Sequence, residues 1–147
     1  MIETKNLEEA RKTIDKLYKE KKKVVVKGKD AEFNRKILEN KKVNILILEH
    51  ENKRDKLKQR DSGLNQVLCK IARDNNIIIA FDFNEIAKGD SKEKAILLSR
   101  IIQNIKLCKK FKTKFILINI SDKDKTNLFN LLLTLGCDTK TAQEALI

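Results

Sequence analysis

Apolar residues recur along this chain at two periods, and the switching between them outlines its elements. Leu7, Ala10, Ile14, Leu17 and Tyr18 repeat at helical spacing, and Asn6 followed by Glu9 reads as a capping box, so the chain opens with an amphipathic helix. Short apolar runs then alternate with helical stripes. Lys23–Lys27 (KVVVK) predicts a strand, Asp30–Asn40 a helix with Ile37 and Leu38 inward, and Val43–Leu48 (VNILIL) a second strand. After a charged connection over 49–60, Asp61 or Ser62 is placed to cap a helix whose apolar face is Leu64, Val67, Leu68 and Ile71. Ile77–Phe83 is the strongest strand, bounded by Asn75–Asn76 and Asn84, and Asn84–Asp90 with Gly89 reads as a loop. Over Ser91–Lys110 the inward stripe is Leu97, Leu98, Ile101, Ile105 and Cys108, with Ser99, Arg100, Gln103, Lys106 and Lys110 opposite. Phe115–Ile120 (FILINI) predicts a fourth strand. A helix with Leu128, Leu131, Leu132 and Leu135 inward follows, Gly136 is placed to end it, and Thr139–Leu146 forms a short last helix.

This order, one helix and then four strand–helix units, predicts an α/β protein with a parallel sheet covered by helices. Four strands cannot close a barrel, so the sheet is expected to be open, incompletely curved, or completed by another subunit. The 147 residues, 41% of them hydrophobic, suit a single domain over 1–147, fall short of the roughly 250 residues of a closed (β/α)₈ barrel, and have the apolar content that a disordered tail lacks. No apolar run is long enough to span a membrane and the start does not read as a signal peptide, so the expected location is the cytoplasm, away from membranes.

Charge changes this picture. There are 33 Lys+Arg against 21 Asp+Glu, a net +12, and the excess lies in residues 1–29 (+5), 53–60 (+4) and 100–114 (+6). Localised basic excess is the footprint of a protein that binds polyanions. With 27 of the 33 basic residues lysine, a solvated surface from a biased composition would look similar.

Catalytic signals are sparse. The chain has no G-x-G-x-x-G and no G-x-x-x-x-G-K-[ST]. Cys69, Cys108 and Cys137 lack C-x-x-C spacing, which suggests neither a disulfide framework nor zinc, and Cys108 reads as a small core residue. His50 is the one histidine; Glu49, Glu51 and Asp82 are its possible companions at the strand ends, and it reads as a surface residue or a support to a ligand. Asp122 and Asp124 read as first-turn acids complementing a helix dipole. No metal site and no catalytic residue is expected of the chain itself.

The most distinctive segment is Lys58–Leu68, KQRDSGLNQVL, a basic loop running into a helix start. Lys53, Arg54, Lys56, Lys58 and Arg60 could grip phosphates, Gly63 permits unusual backbone angles, and Asn65 could bond outward. The succession of Val24–Gly28, Asn34-Arg35, VNILILEH and RDSGLNQVL, continuing through Glu93–Lys110 and FILINI to the Leu135–Leu146 ending, resembles the archaeal ribonuclease P protein component 3 family, related to the thirty-kilodalton human subunit. The resemblance covers most of the chain from about Val24. It departs at Gln66, where the family commonly has His, and at Glu49-His50-Glu51, where a Pro is common.

The resemblance implies a protein subunit of ribonuclease P, the endonuclease complex that removes 5′ leaders from precursor tRNA, within a TIM-barrel-like fold here truncated to about four strand–helix units. It implies that the RNA performs cleavage with Mg²⁺, that the protein binds no cofactor itself, and that it pairs with a small ferredoxin-like subunit as a dimer of heterodimers among other ribonuclease P proteins, meeting precursor tRNA indirectly. Asn34, Arg35, Arg60, Asp61, Ser62, Gly63 and Asn65 are the family-motif positions. On charge, Lys58, Arg60, Arg100, Lys106 and Lys110 are the expected RNA contacts. Two alternatives remain: a metal-dependent phosphoesterase of the related barrel superfamily, centred on His50 with Asp82, and a structural protein-interaction module.

Overall fold

The computed structural model describes residues 1–4, 6–50, 55, 57, 60–88 and 90–146. The elements run α1 (Leu7–Lys19), β1 (Val25–Lys27), α2 (Ala31–Leu38), β2 (Ile45–Leu48), α3 (Gln66–Asp74), β3 (Ile78–Asp82), α4 (Phe83–Ala87), α5 (Ser91–Phe111), β4 (Phe115–Ile118), a 3₁₀ turn at Asp122–Asp124, α6 (Lys125–Thr134) and α7 (Thr139–Glu144). The four strands form one all-parallel sheet in the order β1-β2-β3-β4.

Strand alternation divides the apolar residues between two faces. Val26, Leu46, Leu48, Ile79, Phe81, Phe115 and Leu117 join the main core with residues from all the long helices, among them Ile14, Ile37, Leu68, Ile101, Ile105, Leu128 and Leu132. Ile45, Ile47 and Ala80 form a second cluster on the opposite face, flanked by the partly buried Val25, Ile78, Ile116 and Ile118. Helices on one face only, and a separate aliphatic layer on the other, is the arrangement of a barrel wall rather than of a doubly wound sheet. The architecture is therefore an open arc of a TIM-barrel-like fold. Single-residue clips engage both edges. Ile2 exchanges two hydrogen bonds with β1, its N–H donating to Val25 O and its carbonyl accepting from Lys27 N, and Leu117 N–H in β4 donates to Ala145 O at 2.7 Å.

The structure corrects the sequence reading in several places. Phe83, expected to end the strand, and residues 84–87, expected as loop, form the short helix α4, because Asp82 at the end of β3 accepts from Asn84 N–H and caps it. Helix α3 starts at Gln66, capped by Asn65 Oδ1 accepting from Leu68 N–H, and not by Asp61 or Ser62. Gly136 ends α6 as expected, with φ of 104°. All three cysteines are buried and free. The hydrogen bond that the Cys108 thiol donates to the neighbouring Cys69, together with burial, pushes Cys108 up, and burial beside Asp138 pushes Cys137 up to about 11, so both sit as neutral core groups. Glu51, Lys53, Arg54, Lys56, Lys58 and Gly89 lie outside the described residues.

Candidate nucleic-acid interface

The motif segment is held by polar groups of α2 and α5 and by its own turn. From α2, Asn34 is fully buried; its Oδ1 accepts from Lys29 N–H at 2.8 Å and its Nδ2 donates to Gly63 O at 3.4 Å, tying the β1–α2 turn to the motif loop. From α5, Gln103 Nε2 donates to Ser62 Oγ (3.1 Å) and Arg60 O (3.3 Å), while Asn104 Nδ2 donates to Ser62 O at 3.0 Å. Within the loop, Asp61 Oδ1 accepts from Gly63 N–H, and Gly63 takes a φ of 74° that favours glycine. These contacts hold the loop 60–65 in one shape ahead of α3.

Asp55 organises the charged part. Its carboxylate accepts from Arg60 Nη1 (3.0 Å), Arg100 Nη2 (3.1 Å) and Nε (3.3 Å), and Asp61 N–H (2.8 Å). Burial works against ionisation, but the Asp61 amide, the Arg100 guanidinium and Arg60 outweigh it and hold the Asp55 carboxyl below the usual carboxylate range. A carboxyl depressed in the folded state contributes stability above its unfolded pKa, near 4, and loses that contribution as pH falls through the folded value. The stability difference between the parent and Asp55→Asn is therefore expected to be full at neutral pH and to shrink below about pH 4. Urea midpoints of both proteins across the acid range check this; a difference independent of pH would mean that Asp55 acts without its charge.

Arg100 departs from the sequence reading. It was expected on the outward face of α5 as an RNA contact, and it is only 7% exposed, donating to His50 O at 3.0 Å as well as to Asp55. Its guanidinium is engaged in holding His50 and Asp55 against α5. His50, read as a surface residue or a support to a ligand, is likewise buried, which excludes the first of these. Its Nδ1 lies 3.2 Å from Glu85 Oε2 and its Nε2 3.4 Å from Asn104 Nδ2, which fits a neutral ring donating to the glutamate and accepting from the amide. Asp82, proposed as its companion, is instead engaged with Asn84 N–H and Asn119 Nδ2. Among the described residues, no three His, Cys, Asp or Glu side chains converge as a metal site.

Three of the expected contacts do come together. Arg60, Lys106 and Lys110 line one open groove between α3 and α5, floored by Leu64, Val67, Ile102, Leu107 and Phe111. Phe111 carries the ammonium groups of Lys70 and Lys110, each 5.5 Å from its ring centre. A smaller hollow beside it is lined by Asp61, Ser62, Gly63 and Asn65. Arg35 lies apart, paired with Glu39 on the exposed side of α2. The groove thus offers two lysines one turn of α5 apart, Lys106 and Lys110, with Arg60 of the motif loop on the same lining.

Sequence reasoning missed Asp55, Glu85 and Asn104. The one available signal was the i, i+4 spacing of Arg100 and Asn104, which places both on one stripe of α5.

Comparison with known proteins adds a direct line. No family model matches the chain. A protein of Methanococcus maripaludis named ribonuclease P protein component 3 is 29% identical over 116 residues, covering 79% of this chain and 47% of that protein. The chain is related to the ribonuclease P protein component 3 family. The component 3 protein of Methanothermobacter thermautotrophicus aligns over 151 residues at 23% identity, covering 99% of this chain and 59% of its own length. That of Methanococcoides burtonii is 33% identical over 94 residues, covering 64% and 36%. A chain in a cryo-EM structure of archaeal ribonuclease P with mature tRNA superposes with a TM-score of 0.77 at 24% identity, over 97% of this chain and 61% of that one. The fold is therefore that of a chain in that complex, and the chain spans about half the length of the curated component 3 relatives it matches.

Proposed function

We propose that this protein is a subunit of ribonuclease P that binds and supports the catalytic RNA in removing 5′ leaders from precursor tRNA. Its similarity to curated proteins named ribonuclease P protein component 3 carries the reading. The groove supplies the physical means. Arg60, Lys106 and Lys110 neutralise phosphates of a folded RNA, recognising shape more than sequence, while the side-chain ties of Asn34, Gln103 and Asn104 keep the motif loop fixed beside them.

In this reading the chain contributes no catalytic group, and cleavage and its Mg²⁺ belong to the RNA. Its partners are the RNA, a small ferredoxin-like protein subunit joined as a dimer of heterodimers, further ribonuclease P proteins and, indirectly, precursor tRNA, in the cytoplasm. No helix described is long and apolar enough to cross a membrane.

Reconstitution tests the reading. Ribonuclease P RNA and precursor tRNA at modest Mg²⁺ are expected to release leader faster when this protein and its small partner are both present. A Lys106→Ala/Lys110→Ala protein is expected to keep its melting temperature, to bind the RNA more weakly, and to lower the slope of log affinity against log salt by about 2. Absence of both stimulation and salt-sensitive RNA binding would reject the subunit reading.

A further inference from the structure

The parallel sheet sorts the chain's connections by end, and it sorts their charge as well. The four strand-to-helix connections, 28–30, 49–65, 83–90 and 119–124, together carry a net charge of −1. The four helix-to-strand turns, 20–24, 39–44, 75–77 and 112–114, are half as long in total, yet hold seven lysines against two glutamates. A net +5 of the chain's +12 therefore lies in the short turns at the amino-terminal end of the sheet, opposite the end that carries the motif loop.

These turns form a row. Asn44 N–H donates to Val24 O, Ile78 N–H to Asn44 O and Ile79 N–H to Lys114 O, so the entries to the four strands sit side by side. Lys21, Lys23, Lys41, Lys112 and Lys114 are all exposed along it, and none makes an ion pair among the described residues. Lys22 and Lys42, by contrast, pair with Glu20 and Asp15. The row continues through Lys109 and Lys110 in the last turn of α5 to the groove between α3 and α5.

Helix dipoles offer a reason for cations near helix ends. They do not explain the backbone at two of these positions. Lys21 and Lys112 have φ of 54° and 55°, the left-handed conformation in which a helix usually ends on glycine or asparagine, and Asn76 fills the equivalent place after α3. At both sites glycine would relieve the backbone, and the chain carries lysine.

We propose that the amino-terminal end of the sheet is a second docking surface for the sugar–phosphate backbone of RNA, formed by Lys21, Lys23, Lys41, Lys112 and Lys114. It rests on the subunit reading and extends it: one chain bridges two stretches of RNA, one at the α3–α5 groove and one across the turns.

The decisive variant is Lys21→Gly/Lys112→Gly, read with ribonuclease P RNA and the small partner present. Its melting temperature is expected to match or exceed the parent's, while RNA affinity falls several-fold and the salt slope drops by about 2. Lys23→Gln/Lys41→Gln/Lys114→Gln, which leaves the left-handed positions intact, is expected to lower the slope by about 3. If the parent binds RNA and both variants match its affinity and slope, the row is a solvated surface and the proposal fails while the subunit reading stands. If the parent does not bind RNA at all, the subunit reading fails first. Capture by anionic phospholipid vesicles, with RNA binding untouched by the substitutions, would also overturn the proposal.

Discussion

Arg100→Ala is expected to lower folding stability by about 3 kcal/mol, the cost of losing a buried guanidinium's charge-assisted hydrogen bonds to a carboxylate and a carbonyl together with the packing of its side chain. In a protein of this size that is a fall in melting temperature of about 10 °C. The side chain is 8% exposed and its loss leaves Asp55 and His50 O without their donor from α5. Arg100→Lys keeps the charge but not the planar fork, and is expected to recover only part of the loss. Urea unfolding of the three proteins, beside RNA binding of the folded fraction, distinguishes the possibilities. An alanine variant that is as stable as the parent yet binds RNA poorly would return Arg100 to the contact role that its charge first suggested.

Gly28→Ala is the second large effect, about 2–3 kcal/mol from forced overpacking. A Cβ at this position would lie 2.6 Å from Asn34 Oδ1 and 3.0 Å from the Ile47 carbonyl, to which Gly28 N–H already donates at 2.7 Å. Neither neighbour can retreat cheaply. The strand carbonyl is fixed in the ladder, and Asn34 joins the first strand–helix turn to the motif loop. Because most of the clash is with one side chain, Gly28→Ala/Asn34→Ser is expected to cost less than the sum of the two single changes. Strict additivity in chemical denaturation would show that the backbone contact dominates instead.

How far these features were legible in the sequence follows from the range of the interactions behind them. The four strands and the helices between them were readable because each is fixed by local periodicity, and their β-branched runs leave little alternative. Helix α4 was not, since its five residues bury none of their number fully and depend on the cap from Asp82. The cap of α3 was misread by three or four positions because Asp61, Ser62 and Asn65 are all competent caps, and only the ties from Asn34, Gln103 and Asn104 decide among them. Arg100 and His50 were misplaced for a related reason. A buried charge or imidazole is tolerable only with its partners in place, and those partners, Asp55 and Glu85, lie 45 and 35 residues away. The groove cations Lys106 and Lys110 needed no such partner, and charge with helical spacing was enough to find them.

The clips on the two sheet edges bear on how such a protein behaves when crowded. An arc of parallel strands with bare flanks would invite strand addition, copy upon copy, into a growing ribbon. Here Ile2 occupies the outward groups of β1 around Val26, and Ala145 takes up Leu117 on β4. Main-chain recognition at the flanks is thereby blunted. Association with other molecules is left to side chains, which can discriminate between partners where a naked strand edge cannot.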